Sequence, residues 1–367
     1  MHDGSIFCIK MKKELIMNKI RVKASKKYDV LVKSGCFKDA GELIKNVFPK
    51  GKIAIITDDT VELLYASKLI ESLKTSGFLD IFVFSFPHGE KSKNYKTLIE
   101  ITEFLAEKNL TRSDLLIALG GGVVGDICGF AASIYLRGIK FVQIPTTFLA
   151  AIDSSVGGKT AVNLNAGKNL IGSFYQPELV ICDPELIDTL DDIYFDDGVA
   201  EAIKYGAIMD KDLFELFENG DMKQNLEKII VRCVELKNIV VTQDEFDLGL
   251  RQLLNFGHTI GHSIEKCSGF KITHGHAVAI GMAIITRGSH KLGITPKEDA
   301  QRLENLIKKY GLPTECEFDT EALYSPAVSD KKRTYGDITV IVMKEIGKCV
   351  LHKIPIEKLK ELIENGR

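Results

Sequence analysis

A glycine string at the end of an apolar run constrains the fold of this chain more than any other feature. Residues 115–119 (LLIAL) read as a strand, Gly120, Gly122 and Gly125 follow in the spacing G-x-G-x-x-G, and 127–135 reads as a helix. Glycine lets the backbone approach a pyrophosphate, and a helix N-terminus favours its negative charge. The unit predicts a nucleotide-binding loop, although one such string is a weak signal and a structural tight turn stays an alternative.

Further apolar runs on both sides of the glycines predict the rest of an open α/β sheet. They do not alternate with polar residues, which suits parallel strands that are covered on both faces. Strands and amphipathic helices follow one another along the chain, as in α/β folds. The predicted strands are 52–57, 81–86, 115–119, 139–144 and 179–182, and the predicted helices before the glycines are 61–76 and 95–108.

The pattern changes after residue 184. From there to the end the periodicity is mainly helical, apart from 338–343 (ITVIVM), which reads as a short strand or hairpin arm. A chain of 367 residues is long enough for two hydrophobic cores. We therefore predict an N-terminal extension at 1–20, a nucleotide-binding α/β domain at 21–184 and a helical domain at 185–367.

Charge and composition exclude several classes of function. The formal net charge is −2, so no electrostatic signature supports nucleic-acid binding, and no apolar run reaches the roughly 18 residues of a membrane span. The first twenty residues do not read as a signal peptide. The eight cysteines are scattered without a C-x-x-C pair, which is typical of reduced thiols. We expect a cytoplasmic protein with no nucleic-acid or membrane partner.

A carboxylate and several histidines in the second half form a candidate metal set. His258 and His262 are four residues apart and share one helical face. Glu201 lies in an apolar helix, where a carboxylate is costly unless it binds a metal or pairs with Lys204 three residues on. Three protein ligands with an open position would make the site catalytic. Spacing leaves the three ligands open among Glu201, His258, His262, His274 and His276.

Taken together, these strings resemble the 3-dehydroquinate synthases, members of the sugar phosphate cyclase superfamily. The resemblance runs in unbroken order from about residue 28 to near the C-terminus. The matching strings are GEKSK at 89–93, GGGVVGD at 120–126, YLRG at 135–138, IPTT at 144–147, IDSSVGGKTAVN at 152–163, GKNLIGSFYQP at 167–177, AEAIKYG at 200–206, LLNFGHTIGH at 253–262 and HGHAVAIGM at 274–282.

The resemblance implies a fold, a reaction and two cofactors. The fold would be dehydroquinate synthase-like, α/β plus all-α, with an N-terminal Rossmann-like parallel-sheet NAD domain and a C-terminal helical metal-binding domain. The reaction would convert 3-deoxy-D-arabino-heptulosonate 7-phosphate to 3-dehydroquinate and phosphate in the shikimate pathway. Transient oxidation by NAD precedes phosphate elimination, re-reduction and an intramolecular aldol closure. The implied partners are this small phosphorylated sugar acid, NAD, one Zn²⁺ or Co²⁺, and a second copy in a homodimer.

Two alternatives stay open beside this hypothesis. The first is another NAD- and metal-dependent sugar phosphate cyclase with a different substrate, and the second is a polyol dehydrogenase of the same fold. Arg251 and Asn255 favour a substrate that carries a carboxylate. The basic residues Lys159, Lys204 and Lys237 favour an anionic substrate over a neutral polyol.

The resemblance also assigns individual roles to residues. It makes Glu201, His258 and His274 the metal ligands and His262 a proton-transfer residue, and it leaves His276 at a position where the family usually has Glu. Arg137 would reach a phosphate, across a dimer interface. The other substrate-binding residues would be Asp153, Lys159, Asn169, Lys204, Lys237, Arg251, Asn255, Lys331 and Lys332. The NAD-binding residues would be Asp58, Glu90, Lys93, Gly121, Gly122, Val123, Asp126, Thr146, Thr147, Lys159, Lys168, Leu186 and Thr189.

Overall fold

A seven-stranded sheet organises the first half of the chain in a computed structural model that describes residues 17–329 and 336–367. Its strand order is β1-β2-β9-β6-β5-β3-β4, and two antiparallel hairpins, β7-β8 and β10-β11, lie outside it. The strands are β1 (Asn18–Lys23), β2 (Lys27–Val32), β3 (Ile53–Asp58), β4 (Ile81–Phe86), β5 (Leu115–Gly120), β6 (Lys140–Pro145), β7 (Lys159–Leu164), β8 (Gly167–Phe174), β9 (Leu179–Cys182), β10 (Asp337–Glu345) and β11 (Lys348–Pro355).

Helices cover the sheet and build the second half. Two π-helical stretches, Glu62–Ala66 and Ala150–Ser154, accompany them. The helices are α1 (Ala40–Val47), α2 (Asp59–Val61), α3 (Ser67–Thr75), α4 (Tyr95–Glu107), α5 (Gly122–Ile134), α6 (Asp192–Met209), α7 (Lys211–Asn219), α8 (Leu226–Gln243), α9 (His258–Cys267), α10 (His274–Lys291), α11 (Lys297–Lys309), α12 (Thr320–Ser329) and α13 (Ile356–Gly366). Within the described residues, no helix is long and apolar enough to cross a membrane.

The centre of the sheet is parallel and buried on both faces, as the apolar runs predict. From β2 to β4 across the sheet every neighbouring pair is parallel. In β3, Ile53 and Ile55 belong to a core with residues of α1 and α3, whereas Ala54 and Ile56 belong to a core with residues of α4 and α5. The α/β prediction for this half is therefore confirmed.

The antiparallel β1-β2 hairpin at one edge of the sheet was not predicted. Ile20 and Val22 are buried while their neighbours in β1 are charged and exposed, so the strand is one-sided and short. Because β1 begins at Asn18, the last three residues assigned to the N-terminal extension belong to the sheet, and residues 1–16 lie outside the described residues. The hairpin shares its hydrophobic core with α8 of the second half. The division at residue 184 stays a prediction.

Helices α9 and α10 approach each other closely at a glycine. A Cβ on Gly281 of α10 would lie 2.1 Å from the carbonyl oxygen of Gly257 and 3.0 Å from the amide nitrogen of Gly261. Glycine at this position therefore lets α10 lie directly against the first turn of α9.

The predicted strand at 338–343 is confirmed as the middle of β10, which pairs with β11.

We expect Gly281→Ala to lower the free energy of unfolding by about 3 kcal/mol, because both groups that its Cβ would meet belong to main chain that cannot rotate away. Urea denaturation of the metal-free protein measures this difference. Lys291→Ala, an exposed change in the last turn of the same helix, is the control and should stay within about 0.5 kcal/mol of the parent. Equal stability of both variants would contradict the close approach.

Candidate active site

The glycine loop lies where the strand order of the sheet reverses. β4 lies on one side of β3, whereas β5, β6 and β9 lie on the other side. The connections that follow β3 and β5 therefore leave the same sheet edge in opposite directions and open a crevice, which is the usual ligand position in such sheets. Asp58 ends β3, and Gly121 is the N-cap of α5 directly after β5. The glycine loop predicted from the sequence therefore lies at the sheet edge where the topology opens a crevice.

The glycine loop forms a cradle that side chains would fill. A Cβ on Gly121 would lie 2.8 Å from Cγ2 of Thr147, and one on Gly122 would lie 3.0 Å from Oγ of Ser154. The amide of Thr146 donates to the carbonyl of Gly120 at 3.1 Å, which fixes the neighbouring strand ends together. The first amide groups of α5, which include that of Val123, face this cradle end of the helix without a capping side chain. This arrangement fits a pyrophosphate.

A buried lysine explains the acidic residue in the glycine loop. The Nζ atom of Lys93 contacts Oδ2 of Asp126 and donates to Oδ1 of Asn169 at 2.7 Å. Burial would lower the pKa of Lys93, but the charges of Asp126 and Glu90 outweigh it and raise the pKa. Glu90 in turn accepts from Nδ2 of Asn163 at 2.7 Å. Asp126 is therefore neutralised beside the cradle, and the β7-β8 hairpin is fastened to it.

Other residues predicted to bind the cofactor lie on the opposite face of the same edge. Asp58 caps α2 by accepting from the amides of Thr60 at 3.1 Å and Val61 at 2.9 Å. The hydroxyl of Tyr65 donates to the carbonyl of Leu186 at 3.0 Å, and it lies 2.6 Å from Oγ1 of Thr189. These contacts place the 186–189 loop beside the π-helical stretch that follows Asp58.

Three helices bring one carboxylate and two imidazoles together. Oε1 of Glu201 on α6 lies 3.4 Å from Nε2 of His258 on α9 and 3.5 Å from Nε2 of His274 on α10. Both carboxylate oxygens are buried, and Oε1, which faces the two imidazoles, has no hydrogen-bond partner among the described residues. The Nδ1 atom of His258 lies 3.2 Å from the carbonyl oxygen of Phe256, so its Nε2 is free to face the carboxylate. A buried Glu/His/His set of this kind fits a divalent ion.

The ion pair considered for Glu201 exists beside this set. Nζ of Lys204 contacts Oε2 of Glu201, and both side chains are at most 2% exposed. Burial would raise the pKa of Glu201, but Lys204 and His258 outweigh it and lower the pKa to about 2. Burial and the charge of Lys204 hold the pKa of His258 well below its usual value. The carboxylate is thus ionised and the imidazole of His258 neutral, as ligation by these two groups requires. Burial would lower the pKa of His274, but Glu201 and Glu265 outweigh it and raise the pKa to about 10.

The remaining histidines separate into two roles. His276 lies away from Glu201, since its Nδ1 atom is 2.8 Å from Oγ1 of Thr273 and its Nε2 atom is 4.0 Å from Asp196. His262 lines a cavity of about 140 Å³ with Asn255 and His258. The rings of His258 and His262 are 5.4 Å apart, edge to face. His262 therefore lines space for a small molecule and is not part of the group that Glu201 forms with His258 and His274.

An acidic centre surrounded by polar groups lies between the two cofactor regions. The carboxylate of Asp153 accepts from the hydroxyl of Tyr205 at 2.5 Å and lies 2.9 Å from Nζ of Lys237. The same Nζ atom donates to the main-chain carbonyl of Asp153 at 2.6 Å. Burial lowers the pKa of Lys237 to about 8 even though Asp153 opposes the shift, and Arg251 adds to the lowering. A lysine with this pKa can hold an anion and exchange a proton near neutral pH.

Two other predicted substrate residues are engaged with protein groups. Lys159 contacts Asp247 on the loop that follows α8. The guanidinium of Arg251 is buried and donates to the carbonyls of Gly157 at 3.1 Å and Glu245 at 2.5 Å. Arg251 therefore holds the turn before Lys159 in place, and a carboxylate would have to share its donors.

Of the remaining predicted residues, the structure places Arg137 outside this assembly and Lys168 near the metal set. Arg137 is exposed and precedes β6, so it lies at the sheet edge opposite to the glycine loop. Lys331 and Lys332 lie outside the described residues. Lys168 donates to Oε1 of Glu265 at 2.8 Å, close to the metal set.

Two residues of the assembly were missed from the sequence. Glu265 lies three residues after His262 on α9, so its spacing from His258 and His262 already placed it on their face of the helix. The ligand atoms of His262, Glu265 and His274 form a second group within 4.8 Å of one another. Tyr205 follows Lys204 directly, and no local pattern indicates its hydroxyl contact with Asp153.

Comparison with known proteins covers both halves. The family models "3-dehydroquinate synthase N-terminal" and "3-dehydroquinate synthase C-terminal" match residues 83–197 and 198–333. A 3-dehydroquinate synthase of Clostridium acetobutylicum is 47% identical over 89% of this chain and 93% of its own length. A 2-deoxy-scyllo-inosose synthase crystallised with carbaglucose-6-phosphate, NAD⁺ and Co²⁺ superposes with a TM-score of 0.86 at 25% identity over 95% of this chain and 100% of its own. A 2-epi-5-epi-valiolone synthase of Streptomyces hygroscopicus with NAD⁺ and Zn²⁺ superposes with a TM-score of 0.84 at 26% identity, over 95% of this chain and 99% of its own.

Proposed function

The chain belongs to the 3-dehydroquinate synthase family, and we propose that it is the corresponding lyase, dependent on NAD and on one divalent metal ion. It would convert 3-deoxy-D-arabino-heptulosonate 7-phosphate to 3-dehydroquinate and phosphate. The observation that carries the proposal is the buried Glu201, whose Oε1 atom lacks a hydrogen-bond partner among the described residues and faces His258 and His274, while its Oε2 atom contacts Lys204.

We propose Glu201, His258 and His274 as the ligands of Zn²⁺ or Co²⁺, since both ions accept one carboxylate and two imidazoles. A metal bound there polarises a substrate oxygen and stabilises negative charge on it. The set leaves the side towards the His262 cavity open, so a substrate has room to approach. The crystallised relatives hold NAD⁺ with Co²⁺ or Zn²⁺, which supports the same pair of cofactors here.

We propose the glycine cradle as the NAD pyrophosphate site. Gly121, Gly122 and Val123 offer main-chain amides, Thr146 and Thr147 line the neighbouring strand end, and Asp58, Glu90, Lys93 and Asp126 offer groups for the hydroxyls and amides of the cofactor. NAD bound there would supply reversible hydride transfer. The 186–189 loop, with Leu186 and Thr189, closes one side, while Lys168 reaches the cofactor only from the hairpin.

The side chains of the proposed site have distinct tasks in the proposed reaction. Lys204, Lys237 and Lys159 hold the anionic groups of the substrate, while Arg251 and Asn255 suit its carboxylate and Asn169 suits a hydroxyl. His262 moves a proton at the open side of the metal set. Asp153 orients Lys237 and keeps it within reach of the substrate. Lys204, Lys237 and Arg251 are buried, which strengthens their charge interactions.

We propose that the protein acts as a homodimer in the cytoplasm. Arg137 supports the dimer, because an exposed arginine at the sheet edge opposite to the glycine loop can reach a phosphate only in another copy of the chain. Sedimentation analysis tests the assembly. A monomer with full activity would remove Arg137 from the site.

Substituting the cradle glycine should weaken NAD binding selectively. In Gly122→Val the side chain would enter the space beside Ser154, and an overpacking cost of about 1–3 kcal/mol corresponds to an affinity about tenfold to hundredfold lower. Quenching of intrinsic tyrosine fluorescence by NAD measures the affinity. Ile134→Val at the exposed far end of the same helix is the matched control and should bind NAD normally. Unchanged affinity in Gly122→Val would place the pyrophosphate elsewhere.

Phosphate release from the heptulosonate 7-phosphate, with catalytic NAD and zinc, tests the proposed reaction while NADH absorbance is followed. Release of phosphate with dehydroquinate formed and no accumulating NADH supports the synthase. NADH that accumulates without phosphate release would identify a polyol dehydrogenase. No reaction, with NAD and metal bound, would point to another sugar phosphate cyclase with a different substrate.

A further inference from the structure

We propose that Glu265 is a positioning residue for the metal site, which holds His274 in the orientation and tautomer that ligation requires. The proposal rests on the proposed function only in that a metal binds Glu201, His258 and His274. The two nitrogens of the His274 ring face different carboxylates: Nε2 lies 3.5 Å from Oε1 of Glu201, and Nδ1 lies 3.5 Å from Oε2 of Glu265. Glu265 therefore stands behind the ligand, on the side away from Glu201.

The position of Glu265 follows from its helix. It is seven residues after His258 on α9, so the two side chains share a helical face. Glu265 is 4% exposed, and a carboxylate at that depth needs partners. One oxygen faces His274, and the other accepts from Nζ of Lys168 at 2.8 Å. Both oxygens of this buried side chain are thus engaged, one by a proposed metal ligand and one by a cation.

Lys168 is held in place by a second contact. It comes from β8, and its Nζ atom lies 4.4 Å from the ring centroid of Phe270. The amide of Phe270 donates to the main-chain carbonyl of Glu265 at 2.7 Å. The turn after α9 therefore places an aromatic face under the ammonium group while the carboxylate lies beside it. The cation that balances Glu265 is supplied by the β7-β8 hairpin, not by the helices that carry the metal ligands.

This arrangement has a chemical consequence for the metal. A histidine whose Nδ1–H group donates a hydrogen bond to a carboxylate keeps the lone pair on Nε2, where the metal would bind. The same hydrogen bond makes the imidazole a stronger base. His258 has a neutral acceptor for the same purpose, the carbonyl of Phe256 at 3.2 Å. His274 is therefore the ligand whose donor strength depends on a side chain, and a substitution can change it without touching the backbone.

Zinc affinity, measured by competition with a chromophoric chelator, tests the proposal without any activity assay. Glu265→Ala removes the acceptor and is expected to weaken zinc binding by about 10- to 100-fold. Glu265→Gln keeps an acceptor of the same shape without the charge and should fall between Glu265→Ala and the parent protein. Lys168→Met is the matched control, because it removes the partner of Glu265 but keeps the acceptor for His274, and its zinc affinity should stay within about threefold.

The Co²⁺-loaded variants separate positioning from direct ligation. If Glu265 only positions His274, the visible bands of Co²⁺ keep their wavelengths in Glu265→Gln at saturating metal. Bands that move to those of a lower coordination number, with metal retained in His258→Ala, would assign the ion to His262, Glu265 and His274 and overturn the proposal. Parent-like zinc affinity in a folded Glu265→Gln would also overturn it. A parent protein that binds no zinc would reject the proposed metal centre and the role of Glu265 together.

Discussion

His258→Ala is expected to lose bound zinc and activity together, with kcat/KM lower by about 1000-fold or more, because the metal supplies several kcal/mol of charge stabilisation. The variant leaves Glu201 and His274 as two ligands, too few for a tight site. Metal content by atomic emission and phosphate release by a colorimetric assay measure the two losses on the same samples. The imidazole of His258 lines a cavity, so the shortened side chain fits without a clash.

His262→Ala is the matched control one helical turn further on. It should keep zinc within about threefold of the parent affinity, because His262 is absent from the group that Glu201 forms with His258 and His274. Its turnover should fall by about 100-fold, as for loss of a proton-transfer group. Equal loss of metal in both variants would show that His262 is a ligand and would contradict the division of roles.

The second large effect is expected for Lys204→Met, on stability. Removing the cation leaves the carboxylate of Glu201 buried without its partner, and breaking such a pair costs about 3–5 kcal/mol. Bound zinc would replace the missing positive charge, so the loss should be large in the metal-free protein and clearly smaller in the zinc-loaded protein. Urea denaturation with and without zinc gives both values.

Two further variants make the stability experiment specific. The double variant Glu201→Gln with Lys204→Met removes both charges and should recover part of the stability of the metal-free protein, while it loses zinc. Lys211→Met breaks the exposed pair with Glu215 on α7, where a change of less than about 1 kcal/mol is expected. A Lys204→Met protein as stable as Lys211→Met would contradict a buried, charged Glu201.

Elements that are buried on both faces could be predicted from the sequence. The strands at 53–58 and 115–120 have unbroken apolar runs because both faces contact helices, and the glycines that follow mark the loop. The hairpins β1-β2 and β7-β8 were missed. β8 is largely exposed, so its sequence carries no hydrophobic pattern, and it is held by pairing with β7 and by the contacts of Asn169 with Lys93 and of Lys168 with Glu265.

Some features of the site could likewise be predicted from the sequence, and others could not. Local sequence placed His258 and His262 on one helical face, because side chains three or four residues apart meet on any helix. It could not choose the third ligand, and the resemblance supplied that choice. In the structure, His274 and not His262 or His276 joins His258 beside Glu201 because of how α6, α9 and α10 cross, and the close approach at Gly281 holds α9 against α10.

The sequence by itself therefore determined the family, the parallel sheet, the glycine loop and the set of residues from which the metal ligands come. Only the tertiary structure decided that Lys204 pairs with Glu201 beside the two imidazoles, that His276 faces Thr273, and that Lys168 meets Glu265 across 97 residues of chain. The physical reason is the distance along the chain over which each effect acts. Hydrophobic periodicity and turn chemistry act over a few neighbouring residues, whereas the partner of a buried charge is set by the packing of distant elements.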